Sequence, residues 1–227
     1  ELIKYASNAF LATKITFINE IANLCEKVGV NVEDVSIGMG LDQRIGSRFL
    51  RAGPGYGGSC FPKDTRALLN TAKKYKTSLS IISSTIRSND KRHTILFDKV
   101  KRILKGKILK KKITFLGVTF KPNTDDMRES PALKLIPKLH KLGANIHYFD
   151  PSGIKSEFKK LKNVNFENKI SLACKKTDLI ILHTEWNEFR NLNFKKIVNK
   201  KNFSVYDLRN IYSLKKMKDN KISYFRI

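Results

Sequence analysis

Ile113-Thr-Phe-Leu-Gly-Val118 decides the fold of this chain, because this short apolar run begins a regular alternation of strand and helix patterns. Four later runs have the same strand character, and a helical pattern separates each from the next. They are residues 145–150, 178–183, 204–209 and 222–227. Strands that alternate with helices predict a parallel sheet with helices on both faces.

A helix is predicted after the first strand, with Ser130 as its N-cap and Pro131 as its first residue. Pro137 lies inside this helix and is expected to kink it. Open α/β sheets bind ligands beyond the carboxyl ends of their strands, which indicates residues 120–128 and Arg209. The basic side chains there would hold phosphates, or they are ordinary exposed charges of a basic domain; position alone leaves both open.

The residues before the sheet are predicted to be almost wholly helical. Residues 1–28 have apolar side chains at helical spacing and end at Gly29, which predicts a helix about 40 Å long. Because its apolar residues lie nearly all round, we expect this helix to be buried between domains or subunits. Further helices are predicted at 31–40, 64–76 and 79–104.

The fold class is therefore α/β, in two domains. Residues 1–110 form an all-helical domain with a linker helix, and residues 111–227 form a Rossmann-like parallel α/β domain. No apolar run approaches the ~20 residues of a membrane span, and no signal peptide is recognisable. The chain begins at Glu1 in the middle of a helical pattern, so we expect a fragment of a longer, cytoplasmic protein.

The positive charge is concentrated in the second half. The formal net charge is +25, and residues 99–227 carry 31 basic and 11 acidic side chains. Residues 99–112 are the densest part, with eight basic residues and no acidic one. Such asymmetry can indicate binding to nucleic acid or a membrane surface. No aromatic-rich module accompanies the run, so we favour a solvated connecting segment and expect neither partner.

The second informative stretch is Gly53-Pro-Gly-Tyr-Gly-Gly-Ser-Cys60-Phe-Pro-Lys63-Asp64. Its glycines let the backbone approach a ligand closely. A free thiol is mostly protonated at neutral pH, and a nearby cation or helix N-terminus favours the thiolate. Lys63 and a helix starting near Asp64 would supply both, so Cys60 is the candidate nucleophile.

Three glycines of this stretch also match the dinucleotide pattern G-x-G-x-x-G, which has meaning only between a strand and a helix. Residues 44–52 have no strand character, and Phe61-Pro62 is expected to interrupt an immediate helix, so we reject the match. Cys25 and Cys174 lie in apolar patterns and are expected to be buried or incidental. No cysteine spacing suits a metal, so no metal site is predicted.

Five motifs occur together in the order found in a known family. They are Glu1-Leu-Ile-Lys4-Tyr-Ala-Ser-Asn8-Ala-Phe, Asp42-Gln-Arg44-Ile-Gly, the cysteine stretch, Phe120-Lys121 with Asp126-Met-Arg128-Glu-Ser-Pro, and Asp207-Leu-Arg209. They resemble the central and C-terminal portions of the UDP-glucose/GDP-mannose dehydrogenase family, in particular its UDP-glucose 6-dehydrogenases. The family's N-terminal NAD-binding Rossmann domain has no counterpart here, so we expect the chain alone to be inactive.

The resemblance implies oxidation of UDP-glucose to UDP-glucuronate with two NAD, by way of an aldehyde held on the enzyme. Cys60 would attack this aldehyde to form a thiohemiacetal and then a thioester, which is covalent catalysis. Lys4 and Asn8, four residues apart on one helix face, would stabilise the oxyanion and hold an oxygen or a water. Asp64 would position or deprotonate that water.

The remaining implied contacts concern substrate, cofactor and a second subunit. The residues assigned to substrate are Arg44, Phe49, Arg51, Tyr56, Gly57, Phe120, Lys121 and Arg209. Lys63 and Arg128 would contact NAD. Arg44 would reach a neighbouring subunit, which implies a homodimer or higher homo-oligomer through the first helix.

Three alternatives stay open. A GDP-mannose or UDP-N-acetylhexosamine dehydrogenase would share the cysteine and the two-step chemistry, although residues 42–46 and 61–64 favour UDP-glucose. A basic nucleic-acid-binding protein would explain the charge but leave the glycine-rich stretch without a purpose. A cysteine hydrolase would need a histidine base, and no histidine pattern provides one.

Overall fold

The computed structural model describes residues 1–227, which divide into two compact units. One comprises Glu1–His93 with Ile227, and the other comprises Thr94–Arg226. The helices of the first unit are α1 (Leu2–Val28), α2 (Val32–Gly40), α3 (Cys60–Lys74) and α4 (Ser80–Ile103), the last of which continues into the second unit. None of the chain's helices combines the length and apolar content needed to cross a bilayer.

Helix α1 agrees with the prediction and ends where expected. Gly29 adopts the left-handed conformation with φ 74°, and its amide bonds to the carbonyl of Cys25, which closes the helix. One side of α1 is buried, including Ala12, Ile18 and Ala22. Because apolar residues lie nearly all round the helix, six large apolar side chains of α1 are exposed in the single chain. They are Leu2, Ile3, Phe10, Phe17, Leu24 and Val28.

Helix α3 begins four residues earlier than predicted. The sequence suggested a start near Asp64 and an interruption at Phe61-Pro62, but Cys60 is already the first helical residue. This expectation was wrong because the first-turn amides of a helix have no intrahelical acceptor, so Pro62 loses no hydrogen bond there. Thr65 donates its hydroxyl to the carbonyl of Phe61 at 2.7 Å and supports the same turn.

The second unit contains a six-stranded sheet in the order β3-β2-β1-β4-β5-β6, with every pairing parallel. Its strands are β1 (Lys112–Leu116), β2 (Asn145–Phe149), β3 (Val164–Phe166), β4 (Leu179–Leu182), β5 (Ser204–Asp207) and β6 (Ser223–Arg226). Its helices are α5 (Ala132–Lys141), α6 (Ile170–Cys174), α7 (Phe194–Val198) and α8 (Leu214–Asp219). This order reverses between β1 and β4, which is the ligand-binding position of doubly wound sheets.

The predicted parallel α/β class is confirmed, with two differences. The short β3 was missed, because three residues, of which Asn165 is exposed and the other two are half-buried, are too few to show the period of a strand. Helix α5 begins at Ala132 with Pro131 at its N-cap, one residue later than predicted. Ser130 donates its hydroxyl to the carbonyl of Val118 at 2.6 Å, and its Oγ accepts the amide of Ala132 at 3.3 Å, so it still caps the start of the helix. Pro137 lies within α5 as expected.

Candidate active site and nucleotide-binding edge

A hydrogen bond between the second turns of α1 and α3 organises the cysteine region of the first unit. Asn8 donates from Nδ2 to Oδ2 of Asp64 at 2.6 Å. Asp64 is fully buried, and its Oδ1 accepts no hydrogen bond. The nearest cation to Oδ1 is Lys63, whose Nζ lies 3.8 Å away on a mostly exposed side chain. A buried carboxylate with one free oxygen is equipped to accept a proton from a bound group.

Cys60 is exposed at the first position of α3, four residues before Asp64. Its Sγ lies 3.7 Å from Oγ of Ser59. Residues four apart share a helix face, and the N-terminus of a helix favours negative charge. Cys25 and Cys174 are buried, as expected, and burial raises the pKa of Cys174 to about 12. Cys60 is therefore the only accessible thiol of the chain.

Lys4 lies one turn before Asn8 on α1 and is exposed. The two share one face by spacing. Asn8 and Asp64 are in direct contact, whereas Cys60 and Lys4 are related to them by their positions four residues earlier on α3 and α1.

The glycine-rich stretch is held through its backbone by three residues that the sequence did not indicate. Asn19 accepts the amide of Gly53 on Oδ1 at 2.8 Å, and Arg92 donates from Nε to the carbonyl of Gly53 at 2.6 Å. Asn89 both accepts the Tyr56 amide at 2.9 Å and donates to the Tyr56 carbonyl at 3.2 Å. These partners lie 33 to 39 residues from the loop in sequence, so no local pattern indicates the contacts. A polar Asn19 inside an apolar helix was nevertheless a clue.

The aromatic residues of this region meet at Phe61. Phe49 and Tyr56 each lie with their ring centroids 6.1 Å from that of Phe61, in edge-to-face geometry. Phe49 has a φ of 64°, which is unusual for a bulky residue and indicates backbone strain at this position. Gly57 is buried and Arg51 is exposed.

Arg44 does not contact the cysteine region of its own chain. It forms an ion pair with Asp42, with Nη2 and Oδ2 2.6 Å apart, and its side chain is 89% exposed. The hydrogen bonds between them lower the pKa of Asp42 and raise that of Arg44. An exposed, preorganised guanidinium is available to a molecule other than this chain.

In the second unit, β1 and β4 approach very closely at their carboxyl ends. Gly117 has a φ of 77°, and a Cβ placed on it would lie 2.5 Å from Cβ of Thr184. Thr184 donates its hydroxyl to the carbonyl of Thr119 at 2.7 Å. Glycine is therefore required at position 117, and the two strand ends are held together.

Arg209 joins three segments of this edge. Its Nε donates to the carbonyl of His183 at 2.8 Å, and its Nη2 donates to the carbonyl of Phe120 at 3.0 Å. Nε also lies 2.8 Å from Oε2 of Glu185. Burial lowers the pKa of Arg209. Burial, together with the charge of Arg209, lowers the pKa of His183 to about 3.

Asp207, two residues before Arg209, holds the turn that contains Arg209 through hydrogen bonds. Asp207 accepts the amide of Arg209 on Oδ1, and on Oδ2 the amides of Ile211 and Tyr212 and the hydroxyl of Tyr224. Burial raises the pKa of Asp207 although these hydrogen bonds oppose the shift.

Lys121 and Arg128 belong to the segment that follows β1. Both are exposed, and Nζ of Lys121 lies 5.4 Å from the ring centroid of Phe120. Arg128 pairs with Asp126, with Nη2 and Oδ2 2.8 Å apart, and this hydrogen-bonded pair lowers the pKa of Asp126.

A buried carboxylate occupies the turn after β1. Oδ2 of Asp150 accepts the amides of Val118 at 2.7 Å and of Thr119 at 3.3 Å. Ser152 donates its amide to Oδ1 of the same carboxylate at 3.0 Å.

Neither glycine-containing turn suits a dinucleotide. The turn after β1 has Gly117 but no second or third glycine of the fingerprint. The stretch 53–58 precedes α3 but follows no strand, as the sequence led us to expect.

Two sequence profiles of one family match the chain. The central domain of the UDP-glucose/GDP-mannose dehydrogenase family matches residues 1–91, and the UDP binding domain of that family matches residues 114–214. The chain is 51% identical over 93% of its length to a UDP-glucose 6-dehydrogenase of Rhizobium meliloti (strain 1021), and covers 49% of that protein. It is 46% identical over its whole length to a UDP-glucose 6-dehydrogenase of Rickettsia felis, and covers 51% of it.

Two solved structures have the same fold as this chain. A UDP-glucose dehydrogenase from Pyrobaculum islandicum superposes with a TM-score of 0.86 at 31% identity, over 99% of this chain and 50% of that one. An NDP-N-acetyl-D-galactosaminuronic acid dehydrogenase from Methanosarcina mazei Go1 gives a TM-score of 0.88 at 25% identity, over 100% and 50%. The chain thus spans about half the length of the relatives it matches.

Proposed function

Since this chain belongs to the UDP-glucose/GDP-mannose dehydrogenase family, we propose that it supplies the thiol and sugar-nucleotide-binding parts of a UDP-glucose 6-dehydrogenase. The reaction would convert the C6 alcohol of UDP-glucose to a carboxylate. The observation that carries the proposal is the accessible Cys60, one turn from a buried Asp64 that is bonded to Asn8.

Cys60 would act on the C6 aldehyde formed by the first oxidation. Its Sγ forms a bond to the carbonyl carbon, and the carbonyl oxygen takes up a proton to give a thiohemiacetal. Loss of a hydride from this carbon, with its hydroxyl proton, gives a thioester. Water then displaces the sulfur, which releases the carboxylate and restores the thiol. NAD, when bound, accepts one hydride in each of the two oxidations.

The other polar residues would serve this carbon and its oxygen. Lys4 would stabilise the oxyanion that develops when sulfur or water adds, as preorganised cations do. The free Oδ1 of Asp64 would accept a proton from the attacking water. Asn8 would hold this carboxylate through its short bond, and would orient the water or the substrate oxygen.

The UDP portion would bind at the carboxyl edge of the sheet. Phe120 is partly exposed there, and Lys121 is exposed. The ammonium group of Lys121 would contact a phosphate as a point charge. Arg209 would shape the pocket through its bonds to two backbone carbonyls and would present its remaining nitrogen to the substrate. The loop from Phe49 through Arg51 and Tyr56 to Gly57 would line the sugar nucleotide.

The cofactor fits this chain only in part. Lys63 and Arg128 are exposed cations that would meet cofactor phosphates, whereas no turn of the chain has the dinucleotide fingerprint. We therefore expect no NADH formation by the chain alone.

We also propose that the working enzyme is at least a homodimer. The exposed apolar side chains of α1 would pack against a second copy, and Arg44 would act on the neighbouring subunit's substrate. The exposure of Arg44 and its fixed pairing with Asp42 support this role.

The test joins this chain to an N-terminal NAD-binding domain of the family. We expect two NADH per UDP-glucose consumed, and loss of acid formation with Cys60→Ala. Cys25→Ala is the matched control, because that thiol is buried on α1 and should leave turnover intact. One NADH per sugar, or acid formation by Cys60→Ala, would contradict the mechanism. Greater activity with GDP-mannose or a UDP-N-acetylhexosamine would reassign the substrate.

A further inference from the structure

Lysine side chains gather at the amino edge of the parallel sheet, opposite to the edge that carries the proposed substrate site. We define the amino edge as the segments that enter the six strands. These segments are residues 104–111, 142–144, 159–163, 175–178, 199–203 and 220–222. They contain 12 lysines, no arginine and a single acidic residue, Asp178. In a parallel sheet all strands begin at one edge, so this charge is collected on one surface.

The opposite edge of the sheet has a different charge, so the lysine-rich composition of the chain does not by itself explain the amino edge. The segments that leave the strands are residues 117–131, 150–155, 167–169, 183–193 and 208–213. They carry six basic and seven acidic residues. The two edges belong to the same sheet, yet one is nearly neutral and the other is strongly positive.

Four lysines of the amino edge adopt a left-handed backbone conformation, which Glu129 of the opposite edge and Lys76 of the first unit share. Lys105, Lys110, Lys176 and Lys221 have φ values between 51° and 59°, where glycine or asparagine is usual. A lysine in this conformation costs free energy that glycine would not. Lysine thus occupies these turns although their backbone conformation favours glycine.

Exposed leucines lie among these lysines. Leu109 is 69% exposed, and its Cδ1 lies over Gly143, where an added Cβ would be 2.5 Å away. Leu142 is next to Gly143 and is 44% exposed. Leu172, 45% exposed, is linked to the same edge because its carbonyl lies 3.4 Å from Nζ of Lys112.

We infer that the amino edge is a docking surface for an anionic phospholipid bilayer. Lysines near such a surface are attracted electrostatically, and exposed leucines can enter the interface between headgroups and acyl chains. The six strand starts extend over about 24 Å at the usual strand spacing, which suits a flat polyanion. The aromatic residue of these segments, Phe203, packs against the core, so the edge has no exposed ring on which a nucleic-acid base could stack.

This inference changes the expectation from sequence, which gave the chain no membrane partner. Residues 99–112 alone resemble a solvated connection. The fold shows that five further segments, each containing lysine or leucine, lie along the same edge. The order of residues in the sequence does not show this. The inference concerns binding to a surface and is independent of the proposed oxidation.

The test is sedimentation of the whole chain with vesicles. We expect binding to vesicles of phosphatidylglycerol and phosphatidylcholine in about 0.1 M salt, and none to phosphatidylcholine alone. Lys107→Glu with Lys110→Glu and Lys176→Glu, three exposed lysines of the amino edge, should reduce the partition coefficient about 100-fold, because each lysine near the surface contributes about fivefold. Lys73→Glu with Lys76→Glu and Lys91→Glu is the control of equal charge change on exposed lysines of the first unit.

A second variant tests the apolar contribution. Leu109→Ser with Leu142→Ser should weaken binding several-fold without any change in charge, whereas Leu41→Ser, on an exposed residue of the first unit, should not. Equal losses in the edge and control lysine variants would overturn the inference, because they would indicate a general effect of net charge. Tighter binding to a duplex or single-stranded oligonucleotide, unaffected by the leucine changes, would overturn it in favour of nucleic acid.

Discussion

Asn8 and Asp64 are 56 residues apart in sequence and 2.6 Å apart in the structure, where the amide of one satisfies one oxygen of the other's buried carboxylate. A hydrogen bond to a charged group contributes more than a neutral one, and its removal leaves a buried acceptor without its partner. The pair therefore contributes to the stability of the first unit as well as to the proposed chemistry.

Asn8→Ala should lower the free energy of unfolding by about 1.5–3 kcal/mol, because Asp64 would lose this partner. Urea titration followed by circular dichroism measures the change. Asn70→Ala, an exposed position on α3, is the matched control and should change stability by less than about 0.5 kcal/mol. A silent Asn8→Ala would show that water replaces the amide at no cost.

Gly117→Ala and Gly153→Ala separate a steric clash from backbone strain. Both glycines have positive φ, 77° and 89°, but a Cβ on Gly117 meets Thr184 at 2.5 Å and one on Gly153 meets nothing within 4 Å. We expect about 1 kcal/mol of destabilisation for Gly153→Ala and about 3 kcal/mol or more for Gly117→Ala. The fluorescence of Trp186, the chain's single tryptophan, reports unfolding of the second unit. Equal losses would exclude the clash as the cause.

Stability of the second unit should fall as the pH falls from about 6.5 towards 3. The pKa of His183 is about 3 in the folded chain against 6.5 ordinarily, so the unfolded state binds a proton in this range and the folded state does not. His183 alone should reduce the free energy of unfolding by about 2.5 kcal/mol between pH 7.5 and 4.5.

The same urea titrations on His183→Gln isolate this contribution, since Asp207, whose pKa burial raises, titrates in the opposite sense. The variant should lose most of the difference between the two pH values. An unchanged difference would assign the pH dependence to other groups.

The exposed residues Ile3, Phe10, Phe17 and Leu24 follow one another at intervals of seven, which places them on one stripe of α1. Phe10→Glu with Phe17→Glu should convert the proposed homodimer to a monomer, because two charges would be buried without partners. Sedimentation velocity measures the mass. Leu41→Glu, which lies outside α1 and is highly exposed, is the control. A double variant that stays dimeric would place the interface elsewhere.

Regular patterns predicted much of the fold. The apolar runs at β1, β4 and β5 are long enough to show strand character, and the left-handed Gly29 was expected from the end of the helical spacing. The start of α3 was predicted wrongly because Pro62 was treated as a helix breaker, although the first turn tolerates proline.

The candidate site was predicted less completely. Residue types and spacing indicated Cys60, and the family resemblance added Lys4 and Asn8. Contacts between distant residues were not accessible, because nothing in the local sequence around Asn89 or Arg92 refers to the loop 53–58. Only the folded structure shows that side chains from other helices hydrogen-bond to the backbone groups of Gly53 and Tyr56.

The carboxylate of Asp150 has a consequence for ligand selection. Its oxygen takes the amides of Val118 and Thr119, in the turn where doubly wound domains commonly receive a phosphate. A resident anion of the protein itself thus competes with any pyrophosphate for that turn. The sheet keeps the strand order of a dinucleotide domain, but here a carboxylate of the protein already accepts the amides of the turn after β1.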